Sequence, residues 1–399
     1  MSKIGSLIGL SIQFGINNQK GGIMRRTMIL MGGIVLALGL GAISPTLLHA
    51  SDARTDALGI QREYLEDYIL FRSFPTVIAR YENLVTASLG DRNARDRSVG
   101  VIGSGRNSDY GTFAIYLNDL GNDAGQDAQL DLTWAKQFSG AALGLGLNWT
   151  SSSMQTGEIV VTPIGGHTAA LEANQLAFIG GIKLDMGSDD QFEAAIEVAS
   201  LSWEDDIRRS ENDNGASYRV SARMMNQVSP KTTLVPLAQY SHVDLTAQGD
   251  ADETNFNTLN LGVAAHHEVN SGDLLVMGIA ANYFTTKRLS DGSDTSNEFS
   301  RWDLPALFVA LEFSVYDWLT GRVGATKTID VSTSDPAGGT DDETDTTNSR
   351  FFFGLGMGIH FDHFDVDATV NPDAIFTGGY LFSGESSRPL ARVTGTYFF

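Results

Sequence analysis

Residues 141–150 read AALGLGLNWT, and residues 351–361 read FFFGLGMGIHF. In the first stretch Leu143, Leu145, Leu147 and Trp149 alternate with Ala142, Gly144, Gly146 and Asn148. In the second, Phe351, Phe353, Leu355, Met357, Ile359 and Phe361 alternate with Gly354, Gly356, Gly358 and His360. A side-chain period of two is that of a strand with two unlike faces. One face here is large and apolar, the other small or polar. The same rhythm runs through 190–203, 215–226 and 272–287, where Leu275, Met277, Ile279, Ala281 and Tyr283 form the apolar side. These runs cover about nine to fourteen residues. A tilted strand needs about 9–11 residues to cross a bilayer, whereas strands of soluble domains average about 5–6. Alternation fits a soluble sandwich as well as a barrel, so length is the better discriminator.

The connections support a barrel. Phe138-Ser139-Gly140, Met186 to Asp190, Gln227 to Lys231, Val269 to Gly272, Tyr316-Asp317 and Asp362-His363 are tight. Between them lie the long polar stretches 151–173, 204–214, 244–253, 288–300 and 331–347. Short turns at one end and long loops at the other are the habit of outer-membrane barrels. Counting from Leu84 gives about sixteen candidate strands, with 82–89, 97–105 and 110–118 the weakest. If the first two are not full crossings, the count is fourteen. The expected fold is all-β: a closed antiparallel transmembrane β-barrel of about fourteen strands, or alternatively sixteen. It spans 81–399, with short periplasmic turns and long acidic external loops.

Inward faces are where a barrel sets selectivity. The candidates are Asp131, Lys136, Asn148, Lys183, Glu193, Glu197, Arg219, Arg223, Asn260, His266, Asn282, Asp365 and Asp367. Both charge signs occur, which suits cross-strand pairs as well as a solute site. Aromatic residues near strand ends, among them Trp134, Trp149, Tyr283, Trp302, Trp318 and Tyr397, fit interfacial girdles.

The chain has 399 residues, no cysteine, 43 glycines and a formal net charge of −21. Without cysteine it carries no disulfide and no acylated N-terminal cysteine. The acidic balance argues against nucleic acid, which needs clustered Lys and Arg. Mean hydropathy of −0.08 is far below that of a helical membrane protein. From Met24 the layout is that of a secretory signal peptide: Arg25 and Arg26, an apolar run from Thr27 to Ile43, then Leu48-His49-Ala50 as a cleavage site. A retained anchor is the alternative. Residues 1–23 then read as sequence upstream of a start at Met24. Residues 51–80, with Leu58, Tyr64, Leu65, Tyr68 and Ile69, form either a plug inside the barrel or a periplasmic tail on its rim.

The chain closes on Val393, Tyr397 and Phe399, sharing one face of a last alternating strand. This resembles the terminal signature of bacterial outer-membrane barrels, which implies reading by the barrel-assembly machinery. Ser51-Asp52-Ala53-Arg54 followed by Ala57-Leu58-Gly59 resembles the mature start of the long-chain fatty-acid transporters, part of a broad porin-like group. Gly59 alone stands for that family's Gly-rich stretch, and Phe74-Pro75 for its Asn-Pro. Val370-Asn371-Pro372-Asp373 with Phe376-Thr377-Gly378-Gly379 resembles barrels of the same type. The resemblance implies the architecture and a lumen plug; it carries over no substrate-binding residues.

The functional expectation is an outer-membrane channel or transporter for small or hydrophobic solutes. The alternative is a structural or secretion-associated barrel without transport. No Gly-x-Ser-x-Gly elbow occurs, and His266 and His267, adjacent on a strand, face opposite sides. His242 and Asp244 share a face. The reading is therefore non-enzymatic, with no cofactor, and a barrel enzyme ranks third behind the two alternatives above. Expected partners are outer-membrane lipid and lipopolysaccharide. Divalent cations are a further expectation, at Asp250, Asp252 and Glu253 and at Asp341, Asp342, Glu343 and Asp345, neither group having EF-hand spacing.

Overall fold

The computed structural model describes residues 51–399 apart from 82, 91–96, 105–108, 120–127, 161–166, 188–189, 206–209, 247–252, 290–295, 336–343 and 371–389. Sixteen antiparallel strands close into a barrel in sequence order, with β1 bonded to β16. The first eight are β1 (Leu84–Gly90), β2 (Arg97–Ser104), β3 (Thr112–Asp119), β4 (Ala128–Phe138), β5 (Ala141–Val160), β6 (His167–Asp185), β7 (Gln191–Asp205) and β8 (Ser210–Ser229). The second eight are β9 (Thr232–Thr246), β10 (Glu253–Asn270), β11 (Asp273–Leu289), β12 (Ser296–Tyr316), β13 (Leu319–Asp335), β14 (Thr344–Phe361), β15 (Phe364–Val370) and β16 (Leu390–Phe398).

The expected fourteen is thus corrected to sixteen. β1 and β2 are short, but β1 pairs along its length with both β2 and β16. Without it the sheet would end in two unpaired edges. Its side chains sort as a full crossing would: Val85 and Leu89 exposed outside, Leu84, Thr86 and Ser88 buried inside.

The six tight turns stand where the sequence places them. Gly140 and Gly272 take φ of 76° and 91°, a region that L side chains avoid. The long connections are corrected in part, because the ladders run on into them. β5 continues to Val160 and β6 begins at His167, and β12 reaches 21 residues.

Outward positions form a continuous apolar surface. Phe113, Ile115, Leu145, Phe178, Ile196, Val220, Leu261, Ile279, Val309 and Phe351 are all exposed on it. β12 is irregular against β13 at two places, one beside its turn, between Ser314 and Tyr316, and one in mid-strand. In mid-strand the register shifts between Asp303 and Ala306, around Pro305, which has no N–H for the ladder. The inward set therefore changes parity, from Asp303 to Ala306, Phe308, Ala310 and Glu312, all buried.

The hydrophobic core lies inside the ring. Helix α1 (Asp52–Leu58) starts at Ser51, whose side chain accepts from Arg54 N–H, and stops at Gly59 in the left-handed region (φ 59°). Three 3₁₀ turns follow: Arg62–Tyr64, Tyr68–Arg72 and Pro75–Arg80. Tyr64, Leu65, Leu70, Phe74 and Val77 pack on inward Met225, Leu237, Ala264, Val276, Ala280 and Phe308. Tyr68, Ile69, Phe71 and Ile78 pack on Leu84, Ile102, Ala114, Tyr116 and Ala135. Here the inner wall is apolar or small because its neighbour is protein rather than water.

Candidate functional site

The occupied lumen is the candidate site. Residues 51–81 are tied to the wall by three ionic clusters. In the first, Arg54 of α1 donates to both carboxylate oxygens of Glu312 on β12, at 2.8 and 3.1 Å. Arg322 on β13 donates to the same Glu312 at 2.5 Å and to Asp367 on β15 at 2.6 Å. Ser51 Oγ donates to Asp367 at 2.7 Å, and Thr369 Oγ1 to the Ala53 carbonyl at 2.7 Å. In the second, Glu193 on β7 accepts from Arg80 at 2.6 Å and from Arg223 on β8 at 2.8 Å. Arg223 also donates to the carbonyls of Glu63 and Leu65 and lies over the Phe74 ring. In the third, Arg72 donates to Asp131 on β4 at 2.9 Å. Asn118 and Gln129 donate to the same carboxylate at 3.2 and 2.9 Å, as does Asn148. Each buried charge thus meets an opposite charge and further hydrogen bonds, which is the condition for tolerating burial.

Backbone touches backbone where the wall has glycine. A Cβ at Gly324 on β13 would coincide with the Leu58 carbonyl, and one at Gly144 on β5 would lie 2.6 Å from Pro75 C and Thr76 N. Of the inward glycines in the two opening stretches, Gly144, Gly354 and Gly356 meet the segment, at Pro75 and Thr76 and at Ala57, whereas Gly146 and Gly358 face side chains of the wall.

Within the segment, Asp67 is wholly buried. It accepts from Ile69 N–H at 3.0 Å, with Arg54 at 4.0 Å. Burial pushes its carboxyl up to about 6, against the pull of Arg54 and of the backbone hydrogen bond.

Toward the long connections the lumen changes character. On β12, Arg301 approaches Asp303 at 3.2 Å, and Arg350 on β14 reaches Asp303 at 3.0 Å and Asp330 on β13 at 3.6 Å. Phe256, Phe284 and Phe299 share the inward parity of three consecutive strands, their rings 6.3 and 6.2 Å apart. Arg301 sits 5.9 Å from the Phe284 ring, and inward Phe352 is 50 % exposed.

Of the residues singled out from sequence, Asp131, Asn148, Lys183, Glu193, Glu197, Arg219, Arg223, Asp365 and Asp367 lie on inward positions. Glu197 and Arg219 pair with each other, and Arg219 also donates to the Arg72 carbonyl. Asn260 donates to Gln61 and faces inward, as does its ladder partner Asn282. His266 Nε2 donates to the Tyr64 carbonyl at 2.7 Å, whereas His267 turns outward to Thr232. Lys136 is a correction. It lies five positions from Asp131 in an unbroken ladder, so it takes the opposite face, where it donates to the Asp109 carbonyl and lies over Phe138. His242 also faces outward, bonded to Asn257.

Sequence reasoning passed over Glu312, Arg322, Asp303 and Asp330. Each is a charged residue at the inward parity of an apolar alternating strand, which is a legible signal. Thr320, His360 and Asp365 form a hydrogen-bonded chain (3.0 and 3.1 Å) linking β13, β14 and β15. Thr320 is only 6 % exposed, so the chain fastens strands near the short turns. The signal peptide, the 371–379 motif and the side chains of the acidic loop clusters lie outside the described residues.

These features define a class: a closed sixteen-stranded antiparallel barrel, apolar outside, with its own N-terminal segment docked in the lumen. No family model matches the chain, and no curated protein matches it. Among solved structures it is similar to the toluene transporter TodX of Pseudomonas putida, at 11 % identity and a TM-score of 0.43, over 88 % of this chain and 99 % of that one. It is also similar to the ferric preacinetobactin receptor BauA of Acinetobacter baumannii, at 12 % identity and a TM-score of 0.44, over 72 % of this chain. CdiB from Escherichia coli matches at 8 % identity and a TM-score of 0.44, over 79 % of this chain and 62 % of that one. The chain spans about half the length of BauA, 53 %.

Proposed function

We propose that this chain is an outer-membrane transporter of small or hydrophobic solutes, its periplasmic half closed by residues 51–81. The observation that carries the reading is the docking of that segment on three buried ionic clusters and an apolar core, which fills the space an open porin leaves to water. The apolar exterior supports a position in lipid, since only a closed ring of strands satisfies its backbone there. The inward phenylalanines near the long connections support an apolar solute, and the ladder break between Asp303 and Ala306 supports an exit through the wall. Export by a signal peptide cleaved near Ala50, and assembly through outward Val393, Tyr397 and Phe399, belong to the same reading.

Planar-bilayer conductance tests it. The mature chain is expected to be nearly silent, and a variant lacking 51–80 to conduct steadily, with heat-modifiable gel migration reporting that both are barrels. Open-pore conductance by the mature chain would overturn the closed-lumen reading. Unchanged uptake of apolar solutes by cells lacking the protein would overturn transport.

A further inference from the structure

Lys327 stands on β13 facing outward, between Ala325 and Ile329 along its strand and opposite Leu307 and Phe351 across its two ladders. Among the described outward residues it is the one cation with apolar side chains on all four sides. A lysine on the lipid face of a barrel is destabilising unless its charge reaches an interface or an anion. Its Nζ donates to Ser349 Oγ on β14, two residues past Phe351 toward the long connections. The cation is therefore drawn toward that side of the wall.

Directly beside it the wall is concave. Outward Leu234, Met277, Leu307 and Phe351 surround the small side chains of Ala265 and Ala325, leaving an almost wholly apolar recess of about 540 Å³ with Lys327 on its lining. An acyl chain fits a recess of that chemistry, and a phosphate fits the cation at its margin.

We propose that the recess and Lys327 seat one phosphate-bearing glycolipid of the outer leaflet, a phosphate on Lys327 Nζ and an acyl chain over Ala265 and Ala325. The proposal rests on the outer-membrane reading, with the long connections outside, but not on transport. The leaflet on that side is the one that presents phosphorylated glycolipid, which sets this occupant ahead of a phospholipid.

Native mass spectrometry of the purified full barrel in neutral detergent tests it, with bis-phosphorylated lipid A as the probe. Dephosphorylated lipid A and phosphatidylglycerol serve as comparisons. The expected result is one retained lipid A per chain. Retention falls at least tenfold in Lys327→Gln, persists in Lys327→Arg, and falls in Ala325→Leu, which fills the recess. Equal retention by Lys327→Gln, equal binding of the dephosphorylated lipid, or tighter binding of phosphatidylglycerol would each overturn it. Heat-modifiable migration of the same samples reports the barrel itself, so loss of the lipid seat and failure of the outer-membrane reading are told apart.

Discussion

Arg54 and Glu312, separated by 258 positions in the chain, meet inside the barrel through two hydrogen bonds of 2.8 and 3.1 Å. Their loss should not be symmetric. Glu312 also holds Arg322, so Glu312→Leu leaves two buried guanidinium groups short of a partner, and a broken buried pair costs about 3–5 kcal/mol. Arg54→Leu leaves Glu312 with Arg322 at 2.5 Å and costs about 1–3 kcal/mol. Protease protection of residues 51–80 should fall further in Glu312→Leu than in Arg54→Leu. The reverse order would refute the hub role of Glu312.

Gly324 supplies a steric counterpart. A Cβ there has no room beside the Leu58 carbonyl, which is backbone and does not swing aside. Gly324→Val should release the segment and raise single-channel conductance, with strand content by circular dichroism unchanged. Gly180 on β6 has open space where its Cβ would stand, so Gly180→Val should leave conductance as it was.

Much of this architecture was legible in period-two alternation, because lipid on one face and protein or water on the other impose it on every long strand. Leu143 to Trp149 and Phe351 to Phe361 show it plainly. Parity also exposes the misplacement of Lys136, since an odd separation from Asp131 cannot share its face. Two things were hidden. The strand count depended on β1 and β2, whose few alternating residues become a crossing only through pairing with distant β16. The interior partners were hidden as well: Arg54 and Glu312 are read separately as an N-terminal arginine and a strand glutamate, and only closure of the barrel brings them together. The inward glycines were visible, but what they made room for was not.

The phenylalanine row makes a prediction for solute binding. Phe284 has Phe256 and Phe299 on either side and Arg301 against its face. Each ring contact is worth about 0.5–1.5 kcal/mol beyond its area. A Phe284→Ala, Phe299→Ala double variant should bind an apolar fluorescent probe such as 1-aminoanthracene roughly tenfold more weakly than the parent, by fluorescence titration. Unchanged affinity would move the solute path elsewhere in the lumen.

Asp67 makes docking of the segment depend on pH, in a direction opposite to that of a salt-bridged carboxylate. Burial raises it from an ordinary 3.8 to about 6, because Arg54 is turned to Glu312 and lies 4.0 Å away. A carboxyl whose docked value exceeds its free one favours docking when protonated. Its contribution is complete below about 4 and is lost as pH rises through about 6, for a total of roughly 3 kcal/mol. The chain has no cysteine, so a single Arg62→Cys label reports the segment without interference. Spin-label mobility at that site should increase between pH 5 and pH 7.5 in the parent and change little over that range in Asp67→Asn, which keeps the shape and removes the titration. Equal pH dependence in the two proteins would assign the effect to another group.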